Sequence, residues 1–400
     1  MAEGQPQTRR SLRYLLSRTS ALHVWVSACV AIWVLAACTT PYKHPQLRPA
    51  EAGFAGIDDS FSPQTPEVDV LLIHGMGTHT ETWVQTMVSQ LAAALGFPVP
   101  TTLPPPDPLQ HDAKLYRYSL TSAHRRLQLS AVLWSPVTST AKATLCYDVE
   151  QATSLCTDPT KFSTDKRAWA NNLIKSQIMD DRLSDVTFYL NEEGGRQIRD
   201  AIEDALLRAL SAEGMSFEAL SADTIPTAKN APLFVISESL GSKIVVDALK
   251  EFESRRQTRE FAQQTRGNIH TLFLLANQIP ILNLGVGSRS RDSSHYPHLT
   301  EFAEARNAHR NSRLPDVPLH VVAFSDPNDV FSYQLTPDAL LQQHAIISNV
   351  VVSNDHTVLG FYEDPGHAHT CYLKNSPVSN AIAHGSGALE HSSGIHCAQK

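Results

Sequence analysis

The 400-residue chain has little of what marks several protein classes. Its 6 cysteines are too few for the disulfide framework that holds small secreted domains together. Its 18 glycines and 24 prolines follow no period, which excludes a collagen-like rod, and no internal repeat points to a solenoid. With 42% hydrophobic and 18% charged residues the composition is that of neither a disordered chain nor a coiled coil. A basic stripe with interleaved aromatics is also missing. Lys+Arg number 33 against 40 Asp+Glu, a formal net charge of -7, so nucleic acid is not an expected partner. What is present suffices for a sizeable buried core.

The basic residues that do cluster lie at the start. Arg9, Arg10, Arg13 and Arg18 precede an uncharged run at 21–37, ALHVWVSACVAIWVLAA, which is the layout of a secretory signal. Thr8 to Leu12 also resembles a twin-arginine signal, although an ordinary basic leader accounts for it. Leu35-Ala36-Ala37-Cys38 resembles the bacterial lipobox, which implies cleavage before Cys38 and acylation of its thiol. Several acyl chains at about 0.8 kcal/mol per buried methylene would make the attachment stable. Thr39 rather than Asp follows, which in that reading implies an exported lipoprotein of the outer membrane facing the periplasm. A retained signal anchor is the alternative, since the run is nearly long enough to span a bilayer.

Residues 38–66, with Pro41, Pro45, Pro49, Pro63 and Pro66, read as a tether. From 67 to 385 short apolar runs alternate with amphipathic stretches, which predicts an α/β domain with a mostly parallel central sheet flanked by helices. Strands are expected at 68–73, 127–133, 232–237, 271–276, 319–324 and 345–352. Helices are expected at 81–95, 195–210 and 240–253, with a charged helix at 251–264 running on from the last. The tail, 386–400, reads as flexible.

The stretch 231–249, APLFVISESLGSKIVVDAL, is an apolar strand, a Ser-x-Ser-x-Gly turn and an amphipathic helix. A nucleophile in so tight a turn needs small residues two before and two after it, and Ser237 and Gly241 flank Ser239 in that way. The helix N-terminus behind Ser239 supplies positive potential and free amides. Upstream, 68–77 reads VDVLLIHGMG, a buried strand ending in His-Gly-x-Gly. Gly75 and Gly77 would let the backbone turn back over the serine, so that the amides of Met76 and Leu240 form an oxyanion hole. His74 reads as a structural hydrogen-bonding residue.

With these motifs the chain resembles the α/β-hydrolase superfamily over roughly residues 67 to 380, Ser237 replacing the usual first glycine of the elbow. The resemblance implies an acid and then a histidine downstream of Ser239, and places a cap or lid where residues 135–194 are inserted. The strand after the elbow has no Asp or Glu nearby. The next one ends VVAFSDPNDVFSY, offering Asp326 and Asp329; Asp329 precedes an aliphatic residue, as the superfamily pattern favours, and Asp326 reads as a turn residue. His356, His367 and His369 are the candidate bases, with His369, in Ala-His-Thr after a Pro-Gly loop, preferred. A His-x-His pair can chelate zinc, but no third ligand stands at usable spacing, and no metal or other cofactor is expected.

Cys146 and Cys156, nine residues between them, are expected to form a local disulfide in an exported protein, and Cys371 with Cys397 a second. Phe162, Trp169, Ile174 and Ile178 are candidates to line a pocket under the lid, or alternatively core. The favoured function is a membrane-tethered serine hydrolase acting on an acyl or lipid ester. The rival is a non-catalytic lipoprotein that binds a ligand or partner on the same scaffold.

Overall fold

A computed structural model describes residues 39–40, 44–220, 225–285, 294–358 and 362–391. The segment read as a signal, with Cys38, and the end of the tail, with Cys397, lie outside them. The chain folds as an α/β domain around a nine-stranded sheet. Its strands are β1 (Gln46–Arg48), β2 (Glu67–Ile73), β3 (Asp107–Pro108), β4 (Lys114–Ser122), β5 (Arg125–Leu133), β6 (Leu233–Glu238), β7 (Ile269–Leu275), β8 (Leu319–Ser325) and β9 (Ala345–Val351). Their order across the sheet is β1-β9-β8-β7-β6-β2-β5-β4-β3. The run from β9 to β5 is parallel throughout, and β1, β4 and β3 are antiparallel at the two edges.

The central strands are mainly apolar at successive positions because helices cover both sheet faces, so both sets of alternating side chains are largely buried. On one face pack α1 (Glu81–Ala94), through Val84, Met87, Val88 and Leu91, and α7 (Ser376–His384). On the other lie α3 (Glu192–Leu210), α4 (Gly241–Ser254), α5 (Arg259–Gly267) and α6 (Pro297–Ala308), with α2 (Pro136–Ala143) at the margin.

Four expectations need correction. The antiparallel β4 was not anticipated; it is a nine-residue strand with Leu115, Tyr116 and Tyr118 buried, joined to β5 by a tight turn in which Ala123 has φ 51°. The helix expected at 251–264 is broken, because the chain leaves the helix at Arg255 and re-enters at Arg259, with the Thr258 hydroxyl donating to the Phe252 carbonyl at 2.7 Å. The stretch expected as tether is partly built into the domain: β1 pairs with β9, and Phe54 and Ile57 are buried. The start of the tail, Ser386–His391, is a short helix, and the Ser386 hydroxyl accepts the Phe54 amide at 3.1 Å.

Within the insertion 135–194 the Cys146–Cys156 disulfide is formed and, with Val149, makes a small cluster against which Phe162 packs. The helix Trp169–Leu173 runs into a wide π-type segment, Ile174–Leu183, and then Ser184–Leu190. Trp169 is 80% exposed and Ile174 is 52% exposed, so neither is core. No helix among the described residues is long and apolar enough to cross a membrane.

Candidate active site

The strand β6 delivers Ser239 to the carboxyl edge of the sheet, where the chain reverses directly into α4. The reversal holds Ser239 at φ 53°, a left-handed conformation that an L residue adopts only under constraint. The constraint is packing on both sides. A Cβ on Gly241 would lie 2.7 Å from the His74 carbonyl oxygen, and one on Gly75 would lie 2.5 Å from the Ser239 Cβ. Strand end, turn and helix can close to this distance only because both residues are glycine. Ser237 is fully buried in the same turn.

Three side chains from separate parts of the chain form a continuous relay. The Ser239 hydroxyl lies 3.1 Å from His369 Nε2, and His369 Nδ1 lies 2.9 and 3.0 Å from the two oxygens of Asp329. A carboxylate only accepts, so Nδ1 carries the proton and Nε2 is left with the lone pair that faces the serine. His369 stands on the short helix Pro365–Thr370, which opens with the Asp364 carboxylate accepting the Gly366 amide, 2.8 Å, and the His367 amide, 3.1 Å. Asp329 follows β8. Burial pushes its carboxyl up, but hydrogen bonds from His369, the Phe331 amide and the Tyr372 hydroxyl hold it below the ordinary carboxylate range. Tyr372 donates to Asp329 Oδ2 at 2.9 Å and accepts the Asp326 amide at 2.8 Å, so it joins the acid to the β8 loop.

The remaining candidates are placed elsewhere. Asp326 accepts the amides of Asn328 at 2.9 Å and Asn354 at 2.6 Å, which ties two loops together, and burial raises its pKa. His367 is exposed and paired with Asp355 at 2.7 Å, and His356 is exposed. His74 is fully buried; its Nδ1 donates to the Gly75 carbonyl at 2.7 Å, and its Nε2 accepts the amides of Trp134 at 3.0 Å and Ser135 at 3.1 Å. With both nitrogens used this way the ring is neutral, and burial drives its pKa well down. Cys371 is buried beside the histidine loop.

Met76 and Leu240 flank the serine. Among the described residues neither backbone amide donates a hydrogen bond, so both N–H groups are unspent beside Ser239. The amides that follow Met76 are already taken. Gly77 donates to Asp185 Oδ2 at 2.6 Å, and Thr78 donates to both Asp181 oxygens at 3.0 Å. Lys142, 3% exposed at the side chain, bridges the two acids at 2.7 Å to Asp181 and 3.2 Å to Asp185. Burial raises the pKa of Asp185, while Asp181, despite its own burial, is held below the ordinary range by Lys142 and the Thr78 donors. The insertion is thereby bonded to the loop that carries Met76.

These residues, with Tyr372, were not among those the sequence pointed to. Nothing in the spacing of Asp181, Asp185 and Lys142 relates them to Gly77. Glu238 is another. It precedes Ser239, accepts the Trp83 indole N–H at 2.9 Å, and has a pKa raised by burial. Of these, Asp181 and Glu238 border a cavity of about 300 Å³ at Ser239, which His369, Met76 and Trp83 also line. Among the described residues no group of three or more His, Cys, Asp or Glu is placed to hold a metal ion. Compared with known proteins, the chain matches no family model and no curated protein.

Proposed function

We propose that the chain is a membrane-tethered serine hydrolase of the α/β-hydrolase type, cleaving an ester through a Ser239–His369–Asp329 triad and an acyl-enzyme. The observation that carries the proposal is the unbroken relay from the Ser239 hydroxyl through His369 to a buried Asp329, behind a serine held in a left-handed turn. Ser239 Oγ attacks the carbonyl carbon as His369 Nε2 takes its proton, and the charge that builds on the carbonyl oxygen is met by the Met76 and Leu240 amides. The bond from carbonyl carbon to alkoxy oxygen then breaks, and the departing alcohol receives the proton from His369. Water repeats the sequence on the acyl-enzyme, which releases the acid and restores Ser239. Asp329 keeps the ring in the tautomer with the lone pair at Nε2 and stabilises the imidazolium.

The insertion 135–194 would serve as cap, since it covers one side of the cavity and bonds the oxyanion loop. The leader with Cys38 supports export and lipid anchoring at the outer membrane, and the Cys146–Cys156 disulfide suits an oxidising compartment. The test is labelling of the purified protein with a fluorophosphonate and mapping of the adduct. An adduct on Ser239 that Ser239→Ala removes is the expected result. A folded protein that takes no label would refute the proposal and favour the ligand-binding lipoprotein.

A further inference from the structure

We infer that the site takes short-chain acyl esters of a polyhydroxylated alcohol, with a saccharide as the alcohol, in preference to long-chain lipid esters. The inference rests on the hydrolase reading and deepens it. Its first ground is the wall around Ser239, where Thr78, Thr80, Thr82, Thr86 and Thr370 place five hydroxyl side chains around a cavity of about 300 Å³. Thr78, Thr86 and Thr370 spend their own protons on Asp181, the Thr82 carbonyl and the Gly366 carbonyl, and keep acceptor lone pairs. Arg182, Lys374 and Asp181 add charges of both signs. The apolar part of the wall comes from Met76, Met87, the Trp83 ring and the threonine methyl groups, interrupted by these polar groups within a cavity whose volume suits an acetyl or slightly longer group. A fatty acyl chain gains about 0.8 kcal/mol per methylene only where it meets apolar wall, and along this mixed wall it would also strip water from hydroxyls and charges.

The second ground is what adjoins the cavity. A further cavity of about 400 Å³ shares Thr78 and Asp181 with the first. Asn172, Ser176 and Gln177 line it, and so does Trp169, a residue 80% exposed. A pyranose presents a rim of hydroxyls and a face of C–H groups, and this wall offers amides and hydroxyls beside an open aromatic face. The third ground is Glu238. Trp83 occupies one of its carboxyl oxygens, and among the described residues the other has no hydrogen-bond partner, so one oxygen next to the nucleophile is open to a substrate hydroxyl. In the reaction the acyl carbon parts from a sugar oxygen, that oxygen takes the His369 proton, and the oxygen of water ends in the released carboxylic acid.

The experiment compares the full-length protein on p-nitrophenyl esters from acetate to palmitate and on O-acetylated xylo-oligosaccharides, with fluorophosphonate labelling run in parallel. The expected result is a fall in kcat/KM of about a hundredfold or more from acetate to laurate, together with acetate release from the oligosaccharide. Trp169→Ala, at a surface position, should raise KM for the oligosaccharide about tenfold, and more than for p-nitrophenyl acetate. An optimum at octanoate or longer, or labelled Ser239 without oligosaccharide turnover, would overturn the substrate class and leave the hydrolase standing. Equal effects of Trp169→Ala on both substrates would also overturn it. Absence of both labelling and ester turnover would remove the hydrolase reading itself.

Discussion

Replacing Asp185 tests whether the insertion holds the oxyanion loop in place. Asp185 is fully buried, accepts the Gly77 amide at 2.6 Å, and faces the Lys142 ammonium at 3.2 Å. Asp185→Ala removes the acceptor from a buried N–H, at about 1–3 kcal/mol. It also takes one of two partners from a buried cation, and losing a partner of a buried pair costs about 3–5 kcal/mol. The whole change should stay near 3–5 kcal/mol, because Asp181 still holds Lys142 at 2.7 Å. Gly77 adjoins Met76, so freeing it shifts a donor of the proposed oxyanion hole, and a displacement of about 1 Å costs on the order of a hundredfold in rate. The loss should fall on kcat with little change in KM, since the amide acts on charge that exists only in the transition state. Asp185→Asn keeps an oxygen for Gly77 and should stay within about tenfold of wild type. Denaturant unfolding and steady-state hydrolysis of p-nitrophenyl acetate read both quantities. An Asp185→Ala protein with wild-type kcat and stability would refute the coupling.

The Asp181–Lys142–Asp185 cluster predicts a pH dependence. The folded pKa of Asp185 is raised, so its carboxyl costs stability as pH climbs from the unfolded value through the folded one; that of Asp181 is lowered, so its contribution is present above the unfolded value and lost as pH falls. Lys142→Met worsens the first effect and removes the second, so its destabilisation should grow with rising pH and shrink toward about pH 4, and denaturant midpoints that fall equally at every pH would contradict this. Ser239→Ala should abolish turnover and labelling while leaving unfolding unchanged; activity surviving within about tenfold would sink the serine mechanism. His369→Ala and Asp329→Asn should each lower kcat by about a thousandfold or more, and the double variant should lose little beyond the worse single, whereas additive losses would separate the two residues. Gly75→Ala places a methyl 2.5 Å from the Ser239 Cβ and should cost about 1–3 kcal/mol with a loss of kcat, to be checked by the same two assays. Cys38→Ser should leave an unprocessed or unanchored product, and unchanged processing with membrane fractionation would favour the signal anchor.

The turn that carries the candidate nucleophile could be seen in the sequence because its own signature is contiguous. Strand, small residue, serine, small residue and amphipathic helix span positions 232 to 253, although what Gly241 packs on is the His74 carbonyl of another strand. The parallel strands were equally visible, since burial on both faces demands unbroken apolar runs. β4 escaped notice because its residues alternate, with only part of each face buried at the sheet margin.

Local sequence therefore determined where a nucleophile could stand, and the residue types that might serve it. Two aspartates and three histidines remained open to choice, with a preference and no local means of deciding. Tertiary structure separates them: the β8 loop turns Asp326 toward the Asn354 amide and Asp329 toward His369, although the two aspartates are three positions apart. Only the fold brings Lys142, Asp181 and Asp185 to Gly77 and Thr78, across 103 and 108 positions of chain in the two amide bonds. Short-range sterics leave a record in neighbouring letters. A hydrogen bond between distant segments leaves none, because its geometry is set by the packing of every element that lies between them.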